Sequence, residues 1–313
     1  MVRQILRHEG ILALLLIVTL GLLAGQSDKF LTTANLLNQG RLMAEVGIVA
    51  LAMTFVIVTG GIDLSVGSIL GLVAIMLGVM WQKLGLPLPV AMVLALAIGA
   101  AAGCANGYVI TRFGVPPLIA TLATLALYRG LAEGISQARS VRGYPEWFYV
   151  LGQGDLFGVP VQLWVFLALA VLAAFILGFT PFGRTAYAAG SNATAAEFSG
   201  LPVKRTLLLI YTMAGLFSAI AAVIFVSRVS TTRSDMGTGL ELDVITAVVL
   251  GGTSIFGGRG TILGTLLGLV VMQALKNGLL LAGVKGDATI VVIGFVLMGT
   301  IILTNLFRRD TDG

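Results

Sequence analysis

The sequence predicts an all-α membrane protein, a polytopic bundle of about ten transmembrane segments with broken helices and two pseudo-repeated halves. Three observations lead there. Apolar residues make up 58% of the chain and charged residues only 11%, where soluble domains carry roughly 25% charged residues. Apolar runs near the ~20 residues that cross a bilayer as helix recur from one end to the other. There are also 41 glycines, which membrane helices use to bring backbones close together.

Taken in order, the apolar runs are Ile11–Gly25, Ile62–Trp81, Val90–Ile110, Leu118–Glu133, Leu163–Phe179, Leu207–Val226, Thr261–Gly283 and Thr289–Phe307. Two shorter ones, Val46–Thr59 and Val244–Phe256, each contain or adjoin a Gly-Gly pair. The first run follows Arg3, Arg7 and His8, but many more hydrophobic segments come after it. It therefore reads as an anchor and not as a cleaved signal. No hydrophilic stretch is long enough for a soluble domain, so residues 1–313 read as one transmembrane domain with a loop over about 180–206.

The two short runs suggest the repeat. Val56-Ile57-Val58-Thr59-Gly60-Gly61 leads into Ser68-Ile69-Leu70-Gly71, and Ala247-Val248-Val249-Leu250-Gly251-Gly252 leads into Thr261-Ile262-Leu263-Gly264. Paired Gly-interrupted segments in two halves point to a transport pathway. Gly60, Gly61, Asp63, Ser65, Ser68, Gly251, Gly252 and Ser254 are its candidate lining or gating residues. With residue 1 inside and ten crossings, basic residues divide nearly evenly between the two sides. The pairs Lys204-Arg205 and Arg308-Arg309 fall inside, which places both termini in the cytoplasm.

Asp63 is the most informative acid, because a carboxylate at membrane depth survives only when paired or facing a polar cavity. It is read either as a gate residue or as the N-cap of the helix that follows. Arg129 and Glu133 read as an i,i+4 pair, Tyr128 as an aromatic-belt residue, and Lys276 as a snorkelling cation. Gly67/Gly71 and Gly99/Gly103 have helix-packing spacing. In the 180–206 loop, Asn192 is placed to cap a short helix through Glu197, with Gly200 as its stop. Such a helix is able to dock a partner or simply to lie at the interface. The only histidine is His8, there is one cysteine, Cys104, and no G-x-x-x-x-G-K-[ST] loop occurs. No catalytic residue, metal site or cofactor is expected in this chain, and its scattered basic residues are no nucleic-acid footprint.

The motifs as a set resemble a known family. They are Thr59-Gly60-Gly61-Ile62-Asp63-Leu64-Ser65-Val66-Gly67-Ser68, Thr121-Leu122 through Tyr128-Arg129-Gly130, Gly190-Ser191-Asn192-Ala193-Thr194-Ala195-Ala196, and Leu250-Gly251-Gly252-Thr253-Ser254-Ile255-Phe256-Gly257-Gly258-Arg259-Gly260. In this order they resemble the permease subunit of sugar ABC importers of the ribose, arabinose, rhamnose, galactofuranose and autoinducer-2 group. Ser191 departs from the second glycine of many relatives. The resemblance implies a bacterial inner-membrane protein with a second permease subunit, identical or not, and an ABC ATPase subunit that uses ATP-Mg. It further implies a periplasmic sugar-binding protein, and a coupling helix carried by Gly190, Asn192, Ala195, Ala196, Glu197 and Gly200. Arg139, Arg142, Arg228 and Arg233, in outer loops, are candidates for docking the binding protein. The alternative is an ion-coupled secondary transporter using Asp63.

Overall fold

The computed structural model describes residues 29–137 and 139–284 continuously, with scattered positions between 10 and 25 and between 288 and 298. The expected segments Ile11–Gly25 and Thr289–Phe307 fall largely outside the described residues. Helix α1 spans Thr33–Val58 and is capped by Thr32, whose hydroxyl oxygen accepts from the Asn35 amide at 3.4 Å. Helix α2, Val66–Gly78, continues as a π-helical turn over Val79–Lys83. Helices α3, Leu88–Phe113, and α4, Pro117–Ser136, both begin at prolines, whose missing N–H costs nothing in a first turn. Then follow β1, Val141–Arg142, α5, Glu146–Gln153, and the hairpin of β2, Asp155–Leu156, with β3, Val159–Pro160. The chain continues through α6, Val161–Phe179, α7, Pro181–Phe198, and α8, Val203–Val229. It ends its described course with β4, Thr231–Thr232, α9, Leu240–Leu250, and α10, Ile262–Leu281. Strand β1 pairs antiparallel with β4.

Among the described residues, seven helices are long and apolar enough to cross a membrane: α1, α2 with its π turn, α3, α4, α6, α8 and α10. Two expectations need correction. The segment Val46–Thr59 is not short, because the helix starts at Thr33. Asn35, Gln39, Arg41 and Glu45 interrupt the apolar run but not the helix, and each finds a partner. Asn35 pairs with Asn277, and the Gln273 amide donates to Gln39 at 2.7 Å. Arg41 meets Asp155, and Glu45 accepts two bonds from Arg228 at 2.6 and 3.0 Å. The segment Val244–Phe256 is helical only to Leu250. The 11 residues of α9, Leu240–Leu250, reach ~16 Å, short of the ~30 Å hydrocarbon layer.

Glycine decides the closest packing. On α3, a Cβ at Gly99, Gly103 or Gly107 would run into the backbone of α8. Gly215 of α8 returns the contact against Gly99 and Gly103. The same device joins α9 to α10, with Gly251 against Gly264 and Gly268 against the Ala247 carbonyl.

Candidate functional site

Three segments from distant parts of the chain meet at one glycine junction. The first is the end of α1. The amides of Gly60 and Gly61 fold back onto the carbonyls of Ile57 and Val56, and Gly60 sits at φ +79°, a conformation that favours glycine. This turn leaves the Val58 carbonyl facing outward, where it accepts from the Gly258 amide at 2.8 Å. The second loop is 251–260, in which Gly257 and Gly258 have φ +83° and +74°. A Cβ on Gly257 would meet the Gly190 carbonyl and the Gly60 nitrogen. The third element is α7, where a Cβ on Gly190 would collide with the Val58 carbonyl and the Gly258 nitrogen. Tyr187, one turn earlier, donates its hydroxyl to the Gly260 carbonyl at 2.7 Å. Burial raises the Tyr187 phenol above its usual pKa, so it remains a protonated donor at neutral pH.

Immediately after this junction α7 breaks at Asn192 (φ −163°, ψ 98°). The Asn192 side chain accepts from the Ala195 amide at 2.9 Å and restarts the helix as its cap. Amides of Gly200 and Leu201 close the far end onto Glu197 and Ala196, with Gly200 at φ +79°. The geometry expected for Asn192 through Gly200 is therefore present. Ala196 is buried with Ala189 and Val203 in a small cluster of its own, while Ala195 and Glu197 face outward. Sequence reasoning missed Phe198, 89% exposed at the tip. A large aromatic as the last residue before a helix stop was the available signal.

Asp63 lies fully buried beyond the first glycine turn. Its Oδ1 accepts from the Ser65 amide at 2.9 Å and from the Ser65 hydroxyl at 2.6 Å. Asn106 of α3 donates to the Ser65 hydroxyl at 2.8 Å, and Ser68 donates back to the Ser65 carbonyl. Thr121 of α4 donates to the Ile62 carbonyl at 3.1 Å. Asp63 thus organises the turn into α2, which the Ser65 hydroxyl and the Ile62 carbonyl tie to α3 and α4. Among the described residues, its Oδ2 and the Tyr211 hydroxyl are buried without a hydrogen-bond partner.

The eight pathway candidates do not converge. Gly60 meets Phe256 and Gly257, Gly61 faces Tyr211 and Pro117, and the Gly251-Gly252 pair packs against α10 or turns the chain (Gly252 φ +87°). Ser254 is a turn former, its amide donating to the Arg259 carbonyl and its hydroxyl accepting from Phe256. Of the four arginines, Arg139 and Arg142 are exposed. Arg233 is paired with Asp235. The Arg228 guanidinium is bidentate on the buried Glu45 and lies 5.0 Å from the centre of the Phe225 ring. Three further side chains also behave differently from expectation. Arg129 bonds to backbone carbonyls, Lys276 pairs with Asp243 at 2.6 Å, and Tyr128 is buried with its hydroxyl on the Ala102 carbonyl at 2.9 Å.

Among the described residues, seven apolar spans, one broken helix and segments locked backbone to backbone mark a multi-pass membrane protein. The chain belongs to the family described as branched-chain amino acid transport system / permease component, which it matches over residues 35–301. It is 40% identical over 300 residues to the autoinducer 2 import system permease protein LsrD of Yersinia enterocolitica, covering 94% of this chain and 90% of that one. It is 41% identical over 296 residues to the ribose import permease protein RbsC of Bacillus subtilis, with the same coverage. A Photorhabdus luminescens LsrD is 39% identical over 300 residues, again at 94% and 90%. No solved structure matches the chain.

Proposed function

We propose that this chain is the membrane-spanning permease of an ATP-binding-cassette importer, moving a sugar or sugar-like small molecule across the bacterial inner membrane by alternating access. The observation that carries the mechanism is the junction at Gly190. A short helix with one exposed aromatic is joined through Gly190 to the broken end of α1 and to the loop between α9 and α10. A push on residues 192–200 has no side chain to compress before it reaches both breaks. The helix is the coupling helix, Phe198 is its anchor in a groove of the ATPase subunit, and Gly190, Asn192, Ala195, Ala196, Glu197 and Gly200 shape it.

ATP-Mg is bound and hydrolysed by that separate subunit, and this chain is a transport component and not an enzyme. A second permease chain completes the path, a periplasmic binding protein delivers the sugar, and Arg139 and Arg142 meet it from the outer loops. The chain has ten spans in two pseudo-repeated halves, with both termini cytoplasmic and Asp63 holding the turn that the halves rock about. Sugar is preferred to amino acid as cargo because the relatives similar over 94% of the chain are named for ribose and autoinducer 2.

The test is uptake by the purified complex in liposomes. ATP supplied on the coupling-helix side is expected to drive uptake of ribose or autoinducer 2 with no ion gradient. Uptake driven by a sodium or proton gradient without ATP would overturn the reading in favour of an Asp63-dependent carrier.

A further inference from the structure

The chain between α8 and α9 does not stay outside the bundle. Thr232 is paired with Val141 beside Gly78, at the end of α2 that leads to Lys83. Further on, the carbonyls of Ser234 and Met236 lie against Gly71, and Gly237 lies against Gly67. From Gly78 to Gly67 is eleven residues of α2, about 16 Å or half the ~30 Å hydrocarbon layer. Residues 231–239 therefore run down a groove that exists because three residues of α2 lack side chains.

One cation holds this irregular backbone. Arg129 is the thirteenth of the twenty residues of α4. It donates through Nη1 to the Ser234 carbonyl at 2.5 Å and the Met236 carbonyl at 2.9 Å, and through Nη2 to the Gly67 carbonyl at 3.4 Å. Non-helical backbone at membrane depth is stable only where it is buried in protein or lines a watery cavity. Asp235 decides between these. It stands between the two carbonyls that Arg129 grips, its side chain is 59% exposed, and its partner Arg233 is 64% exposed. Thr238 is exposed as well. Exposed charge at that depth requires water and not lipid tails.

We propose that residues 231–239 form a re-entrant wall of the transport path, in which Arg233, Asp235 and Thr238 face water open to small polar solutes and Arg129 positions the segment. This rests on the import reading for what passes along the wall. Its test does not, since it reads the chain at rest, without sugar or ATP.

In spheroplasts expressing the complex with Cys104→Ala, single cysteines are placed at Asp235, at Thr238 and, as control, at Val171. Val171 is 71% exposed and eleventh of the nineteen residues of the apolar helix α6. A membrane-impermeant maleimide is expected to label Asp235→Cys and Thr238→Cys on the order of tenfold faster than Val171→Cys, because the reacting thiolate forms in water. Equal rates at all three positions would overturn the proposal. Adding Arg129→Gln is expected to change the rate at position 235 severalfold, with Arg129→Lys restoring part of it. Gly71→Ala, whose Cβ would stand 2.8 Å from the Met236 carbonyl, gives a second displacement should Arg129→Gln fail to accumulate. Rates unmoved by either change would remove the positioning role. A failure of ATP-driven uptake with fast labelling at 235 counts against the import reading alone.

Discussion

The two ends of helix α1 are joined to the rest of the protein by opposite means. At Val58 the contacts are backbone on backbone: a carbonyl to the Gly258 amide, and Gly190 and Gly257 where no Cβ fits. Over residues 35–45 the contacts are long polar side chains: an amide ladder to Asn277 and Gln273, an ion pair to Asp155, and a bidentate pair to Arg228. Side chains hold two helices together while tolerating ångströms of relative movement through rotamer changes. Glycine contacts tolerate almost none. The difference sets a stiff end, fit to transmit displacement, against an adjustable end fit to absorb it.

The sharpest way to break this contrast is to put a side chain into the stiff end. Gly190→Leu is expected to abolish ATP-driven uptake while leaving membrane insertion intact, as read by liposome uptake beside the ATPase rate of the complex. Normal uptake would mean that the junction is not the route of transmission. Next in size is Arg228→Ala at the adjustable end, which strands a buried carboxylate and is expected to cost about 3–5 kcal/mol. Thermal unfolding in detergent measures it, and the pair Glu45→Leu with Arg228→Met should recover much of the loss.

Smaller effects sharpen the same picture. Asn277→Leu leaves part of the Asn35 amide without its partner and should cost about 1–3 kcal/mol, less when combined with Asn35→Leu. Uptake should change little in either variant, since this end only has to hold. The smallest is Asn192→Ala, which removes a cap worth about 1 kcal/mol. It should appear as faster amide exchange across residues 193–198 with stability otherwise kept, and Asn192→Ser should behave nearly as the parent.

Much of this was legible in the sequence, and what was not has a physical reason. Glycine pairs and caps act locally, so the breaks at Gly60-Gly61 and Gly251-Gly252 and the short helix from Asn192 to Gly200 stood out. Pairing between distant segments leaves no local mark, so Lys276 looked like a snorkelling cation and Arg129 like half of a helical pair. The first half of α1 was missed because hydropathy counts Asn35 and Gln39 as interruptions. Their i,i+4 spacing, matched by Gln273 and Asn277, was the overlooked clue to a polar ladder. Gly67 and Gly71 were rightly read as small for the sake of close approach, but what approaches is an irregular chain and not a helix.

The Gly190 junction also bears on how such permeases can be recombined. Its fit is written in main-chain atoms of three separated stretches, 58–61, 187–192 and 257–260, so none carries the lock alone. Grafting a foreign 180–206 loop to switch the ATPase that this permease answers to should give silent hybrids. Hybrids that exchange all three stretches together should work, and the unit of inheritance for partner choice would then be a scattered triplet and not the loop.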